Sequence, residues 1–306
     1  MTKVFIDGSA GTTGLRIVER LSQRKDLQLL ILTDEQRKDP AARAEALAQS
    51  EIAFLCLPDD AARESVALAA GSKVKIIDTS TAHRTDPAWA YGMPELSGNR
   101  EKIANSARIA NPGCHASGFI ALVAPLVEKG FLPKDALLSC FSLTGYSGGG
   151  KKMIAQYEDS ARPGLYDAPR QYALGQTHKH LPEMSAICGL ESAPIFCPIV
   201  GDFYSGMEVT VPLFANQLRG NIDDLRNLYK DYYAQGLIRY EEADEDGLLS
   251  ACAYSGRDDM GVSVFGNQDR IILTARFDNL GKGASGAAIQ NMNILLGLPE
   301  ETGLSI

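Results

Sequence analysis

No apolar run among the 306 residues reaches the roughly 20 needed to span a bilayer, and tryptophan and histidine are scarce, at one and four residues. The segment Met1-Thr2-Lys3-Val4-Phe5 enters a strand pattern directly, without the basic stretch and apolar core of a leader. Six cysteines form no CxxC pair, and no Cys/His spacing suits a metal. Together these absences predict a reduced, soluble, cytoplasmic protein with no metal centre. Basic residues are also outnumbered, 30 Lys and Arg against 38 Asp and Glu, for a formal net charge of −8. That balance excludes a general nucleic-acid or anionic-membrane surface and leaves room for a few cations gathered around a small anion.

What is present is an ordinary globular composition, 45% hydrophobic and 22% charged, in a chain long enough for about two domains. From residue 3 to about 112, short apolar runs alternate with helix-like segments: strands at Lys3–Asp7, Leu27–Leu32, Ile52–Leu57 and Val74–Asp78, with helices at Thr13–Ser22, Ala41–Gln49 and Asp60–Ala70 between them. This alternation predicts an α/β fold, a Rossmann-like doubly wound parallel sheet. After Cys114 the texture changes. A helix carrying Pro125 should kink or break there. Strand-like segments near 136–144, 193–199, 207–212 and 270–277, punctuated by helices over 221–235 and 284–296, predict an α+β domain with a largely antiparallel sheet.

Gly8-Ser9-Ala10-Gly11-Thr12-Thr13-Gly14 follows the first strand and opens the first helix. Glycines there allow a tight turn and close approach of a pyrophosphate to a helix N-terminus, so these seven residues are expected to bind a dinucleotide. Asp34, after the second strand, suits the ribose hydroxyls of NAD, whereas Arg37 and Lys38 suit the 2′-phosphate of NADP. The residues leave both open.

Cys114 stands in Asn111-Pro112-Gly113-Cys114-His115, immediately before an apolar helical stretch. A thiol where a turn becomes a helix meets unsatisfied N–H groups and the positive end of the dipole, which favour the thiolate. The other five cysteines lie in apolar or unremarkable surroundings and read as inert packing. His178 and His180 precede Pro182 at a helix start and are candidates for acid/base work, while His83 and His115 read as bystanders. Arg84, in the loop after the strand ending at Asp78, is a candidate clamp for a carboxylate or phosphate, and Lys151 adjoins a glycine-rich, flexible anion-friendly turn at 145–150.

The glycine loop, Asp78-Thr79-Ser80-Thr81-Ala82-His83-Arg84, Tyr91-Gly92-Met93-Pro94-Glu95-Leu96, Asn111-Pro112-Gly113-Cys114, Gly145-Tyr146-Ser147-Gly148, His178-Lys179-His180-Leu181-Pro182-Glu183 and Asp278 to Gly286 together resemble the short form of the N-acetyl-γ-glutamyl-phosphate reductases, relatives of aspartate-semialdehyde dehydrogenases. An aromatic residue commonly follows the cysteine in the longer form, where this chain has His115. The resemblance spans nearly the whole chain. It implies NADP as cofactor, Cys114 as a nucleophile forming a thioester, His180 with His178 supplying acid/base and substrate contacts, Arg84 and Lys151 holding substrate anions, and a homo-oligomer. It also implies a discontinuous dinucleotide-binding domain, 1–113 plus about 283–306, around a catalytic domain at 114–282. The competing expectation is an aspartate-semialdehyde dehydrogenase-like acyl-phosphate reductase with a shorter, amine-bearing substrate.

Overall fold

The computed structural model describes residues 1–242 and 246–306, which divide into two compact units: Met1–Gly113 with Ala284–Leu304, and Cys114–Gly283 with the last two residues.

In the first unit the elements run β1 (Thr2–Asp7), α1 (Thr12–Leu21), β2 (Leu27–Leu30), α2 (Pro40–Gln49), β3 (Ile52–Leu55), α3 (Asp59–Leu68), β4 (Lys75–Asp78), β5 (Ala90–Tyr91), α4 (Asn99–Asn105) and β6 (Arg108–Ala110), completed by the helix Gly286–Leu295. The sheet order is β2-β1-β3-β4-β6-β5, and every pairing is parallel. Because side chains alternate along a strand, Val4 and Ile6 pack on one face with Ile17 and Leu21 of α1 and Ile289 and Met292 of the last helix. Phe5 packs on the other with Ala46 and Leu47 of α2 and Ala62 of α3. Helices on both faces make the sheet doubly wound, as the apolar runs predict. Phe54 is fully buried in it, so its truncation to Ala should cost about 3–5 kcal/mol. The loop after β2 closes with Asp39, whose side chain accepts from the Ala41 N–H at 2.9 Å, and with Pro40 in the first turn of α2.

The second unit contains α5 (Cys114–Glu128), β7 (Ser139–Gly145), α6 (Gly150–Glu158), β8 (Arg170–Gln171), α7 (Leu181–Cys188), β9 (Ile195–Gly201), β10 (Met207–Phe214), α8 (Ile222–Tyr232), β11 (Ile238–Tyr240), β12 (Met260–Gly266) and β13 (Arg270–Phe277). Their order is β11-β12-β13-β10-β7-β9-β8, with β11/β12 and β7/β9 parallel and the other neighbours antiparallel. The sheet is therefore mixed and mainly antiparallel.

The expected break at Pro125 does not occur, because α5 runs on to Glu128. Proline has no N–H for the carbonyl four residues back. The Tyr233 hydroxyl donates to that carbonyl, Ala121 O, at 2.7 Å, and the Tyr229 hydroxyl donates to the next, Leu122 O. Two tyrosines from the end of α8 thus satisfy a stretch of helix that the proline disturbs. A Cβ on Gly118 would stand 2.5 Å from Val209 and 2.9 Å from Phe277, so α5 lies directly on β10 and β13. The opposite sheet face exposes Phe141, Ile195, Phe214 and Ile272, whose registers across β7, β9, β10 and β13 put them on one side. Among the described residues no helix is long and apolar enough to cross a membrane.

Candidate active site

The glycine loop of the first unit separates residues the fold requires from one it does not. Gly8 has φ +86°, and a Cβ there would lie 2.3 Å from the Cys56 carbonyl oxygen; one on Gly14 would lie 2.4 Å from Gly8 O. Those two glycines are demanded by packing. Gly11 has no atom nearer than 3.5 Å to its hypothetical Cβ, yet it sits exposed at the N-cap of α1, where no side chain caps the helix. Its missing side chain leaves the first-turn N–H groups open, which suits a phosphate. Ser9 is buried, Ala10 exposed, and Thr12 and Thr13 are half-buried in the first turn. Just before the loop, the buried Asp7 carboxylate accepts from Arg43 at 3.0 and 3.1 Å and from Ser65 at 2.7 Å. Asp34 and Arg37, which the sequence offers as rival readers of the cofactor ribose, are ion-paired with each other.

In the 78–84 loop, Asp78 accepts from the Ser80 N–H and hydroxyl at 2.9 and 2.8 Å and lies 2.6 Å from His83 Nδ1; His83 stacks on Trp89 with 4.1 Å between centroids. Arg84 closes the same loop. Its Nε donates to Asn111 O at 2.9 Å and Nη2 to Thr79 O at 3.0 Å, with the residue 7% exposed. A guanidinium buried on backbone carbonyls braces its own loops.

In the second unit Cys114 is the first residue of α5 and is half-buried. A Cβ on Gly283 would crowd Cys114 Cβ at 3.0 Å, which explains a glycine beside the thiol. The next residue, His115, is buried, with Nδ1 2.7 Å from Ser142 Oγ on β7 and Nε2 2.7 Å from the Tyr172 hydroxyl just beyond β8. Around it stand His178 and His180, with ring centroids 5.6 and 5.7 Å away, and Phe196 of β9 at 5.3 Å. The two histidine rings are 4.7 Å apart, and the His180 N–H donates to His178 Nδ1 at 3.2 Å, which leaves Nε2 to carry the ring proton of neutral His178.

Charge in this cluster follows from burial. His115 is pushed down to about 3 by desolvation and by neighbouring His178, so it is neutral at any working pH. His178 is lowered by burial and by Lys179. Tyr172 is raised by burial and by the charge of Cys114, which puts that phenol in the electrostatic neighbourhood of the sulfur. The sequence reads His115 as a bystander and does not single out Tyr172 at all; their hydrogen bond spans 57 positions and has no local signature.

Lys151 stands exposed in the first turn of α6, and among the described residues no hydrogen bond or ion pair joins it to the histidines. The turn before it is not loose. Gly145, Tyr146 and Ser147 donate their N–H groups to Gly206, Phe203 and Tyr204 carbonyls at 2.9–3.0 Å, and Asn279 holds the Ser147 hydroxyl at 3.0 Å. Of the other cysteines, Cys140 and Cys188 are buried and, with Cys56, have thiols pushed up by desolvation. Cys252 departs from the expected packing role: it is exposed, with its thiol raised by partial burial and by Asp278.

Residues 3–106 match the family model described as semialdehyde dehydrogenase, NAD binding domain, and residues 114–279 match semialdehyde dehydrogenase, dimerisation domain. N-acetyl-gamma-glutamyl-phosphate reductase 2 of Nostoc sp. is 45% identical over 99% of both chains, and the N-acetyl-gamma-glutamyl-phosphate reductase of Brucella ovis is 46% identical over 96% of this chain and 99% of its own. Among solved structures, aspartate semialdehyde dehydrogenase II of Vibrio cholerae, complexed with ASA, superposes with a TM-score of 0.74 at 18% identity, covering 97% of this chain and 98% of its own. The enzyme of Francisella tularensis gives 0.72 at 14% identity, covering 97% and 100%. These likenesses concern the fold.

Proposed function

This chain belongs to the N-acetyl-γ-glutamyl-phosphate reductase family, and from that premise we propose that it reduces N-acetylglutamyl 5-phosphate to N-acetylglutamate 5-semialdehyde, releasing phosphate, as a step of arginine biosynthesis in the cytoplasm. The observation that carries the reading is a thiol at a helix start in the same unit as a buried histidine and tyrosine cluster. Cys114 attacks the acyl carbon, the oxyanion is met by N–H groups of the first turn of α5, and phosphate departs with the C–O electron pair to leave a thioester on sulfur. A carboxylate resists reduction; a thioester does not. Reduced nicotinamide, when bound, supplies the hydride that the thioester carbon accepts. Collapse of the resulting oxyanion then expels the Cys114 thiolate and frees the aldehyde. His180, as imidazolium, donates to the departing phosphate and stabilises the sulfur anion; His178, through Nε2–H, and Lys151 bind substrate oxygens.

Residues 8–14 hold the pyrophosphate, with Gly11 giving the closest approach, and NADP is the preferred coenzyme because Lys38 remains exposed for the 2′-phosphate beside the Asp34–Arg37 pair. The test is the reverse reaction with N-acetylglutamate semialdehyde, phosphate and either NADP or NAD. NADP-linked turnover of this semialdehyde is expected; faster turnover of aspartate semialdehyde would overturn the substrate assignment.

A second copy of the chain docks on the open sheet face of the second unit, burying Phe141, Ile195, Phe214 and Ile272. Sedimentation of Phe214→Glu should show a lighter species than the parent protein.

A further inference from the structure

A chain of contacts runs from the buried Ser142 hydroxyl through the residue that follows Cys114: Ser142 Oγ to His115 Nδ1 at 2.7 Å, and His115 Nε2 to Tyr172 Oη at 2.7 Å. A neutral imidazole has one N–H, so the two bonds run in the same direction along the chain, either toward Ser142 or toward Tyr172. The groups that face His115 are Ser142 from β7, Tyr172 after β8, His178 and His180 ahead of α7, and Phe196 from β9; no carboxylate is among these contacts. Cys114 immediately precedes His115 in the first turn of α5, and a sulfur anion there would act on Tyr172. A negative end orients the dipoles of a buried hydrogen-bond chain toward itself.

We propose that Ser142 and His115 are positioning residues that turn the Tyr172 hydroxyl toward Cys114, where it donates to the sulfur anion and to the oxyanion formed on the acyl carbon. Ser142 donates to His115 Nδ1, Nε2–H donates to Tyr172 Oη, and the phenolic proton is left for the reacting centre. The role requires a neutral imidazole, and burial at position 115 keeps it so. No proton moves along the chain; its direction is fixed and its effect is electrostatic. The inference rests on Cys114 being the nucleophile and deepens that assignment.

The test is the pH dependence of iodoacetamide alkylation at Cys114, read by peptide-resolved mass spectrometry because Cys252 is exposed, together with kcat and KM. Tyr172→Phe should move the alkylation midpoint upward by about one pH unit and lower kcat about tenfold or more with little change in KM, the range expected for one hydrogen bond to a charged group. His115→Leu should do the same, while His115→Gln, whose amide N–H reaches where Nε2–H stood, should recover much of both. Ser142→Ala, the smallest change, should shift the midpoint in the same direction by less. An unmoved midpoint in Tyr172→Phe, with far-ultraviolet circular dichroism unchanged, would overturn the proposal, as would equal loss in His115→Gln and His115→Leu. Failure of the underlying assignment looks different: Cys114→Ser would retain turnover.

Discussion

The two units solve different problems of assembly. In the first, the segment we assign to the coenzyme is seven consecutive residues between β1 and α1. In the second, the candidate site draws Cys114 and His115 from α5, Ser142 from β7, Tyr172 from beyond β8 and two histidines from ahead of α7. A contiguous site writes its chemistry into residue order, because the turn, the helix dipole and the glycines are all local. A distributed site leaves only its chemically loud members visible. The contrast predicts that single changes in the loop act mainly on coenzyme binding, while changes in the cluster act on the chemical step.

The largest effect should come from Cys114→Ser, with kcat falling by about 10³-fold or more while coenzyme binding, followed by nicotinamide fluorescence, is retained. Loss of both would erase the division between the units' roles. Next in size is Gly14→Val, whose side chain would meet the Gly8 carbonyl where even a Cβ stands at 2.4 Å; it should weaken coenzyme binding and lower the melting temperature together. Gly11→Ala separates those outcomes. Because its Cβ has room, stability should change by less than about 1 kcal/mol while the coenzyme KM rises several-fold, and an unchanged KM would show that Gly11 serves only the fold.

These changes also show what residue order reveals. The parallel sheet is legible because its buried strands read as unbroken apolar runs separated by amphipathic helices. The placement of Cys114 at a helix start is legible because Pro-Gly precedes it and an apolar stretch follows. Arg84 is legible as a cation after a parallel strand, whereas its bonds to Asn111 O and Thr79 O are not, since nothing in residue order marks those two carbonyls. Pro125 misleads for a similar reason: the hydroxyls that compensate it lie more than 100 positions away. His115 and Tyr172 could not be paired from sequence, as nothing in either neighbourhood specifies β8.

Two smaller effects sharpen the comparison within the second unit. Tyr233→Phe removes the donor to Ala121 O and should cost about 1–2 kcal/mol in urea unfolding, and Pro125→Ala, which restores the backbone donor, should reduce that cost. Independent, additive costs would show that the tyrosine does not compensate the proline. The last is a pH effect. His115 has its folded-state pKa held near 3, below the ordinary value of 6.5, so the unfolded chain binds the proton first as pH falls. Stability from this residue is complete above pH 6.5 and declines toward pH 3, by up to about 1.4 kcal/mol per pH unit. His178, also lowered, adds to the same limb. His115→Gln should flatten the acid side of a stability profile; an unchanged slope would mean that the imidazole is not buried neutral.

The central claim is that Cys114 carries the acyl group during turnover. Mixing the protein with N-acetylglutamyl phosphate in the absence of coenzyme, quenching in acid and mapping peptides by mass should find an N-acetylglutamyl adduct on the Cys114 peptide, released by hydroxylamine and missing from Cys114→Ser. Trapping the acyl group on any other residue, or finding none while the same preparation turns over with NADPH, would contradict it.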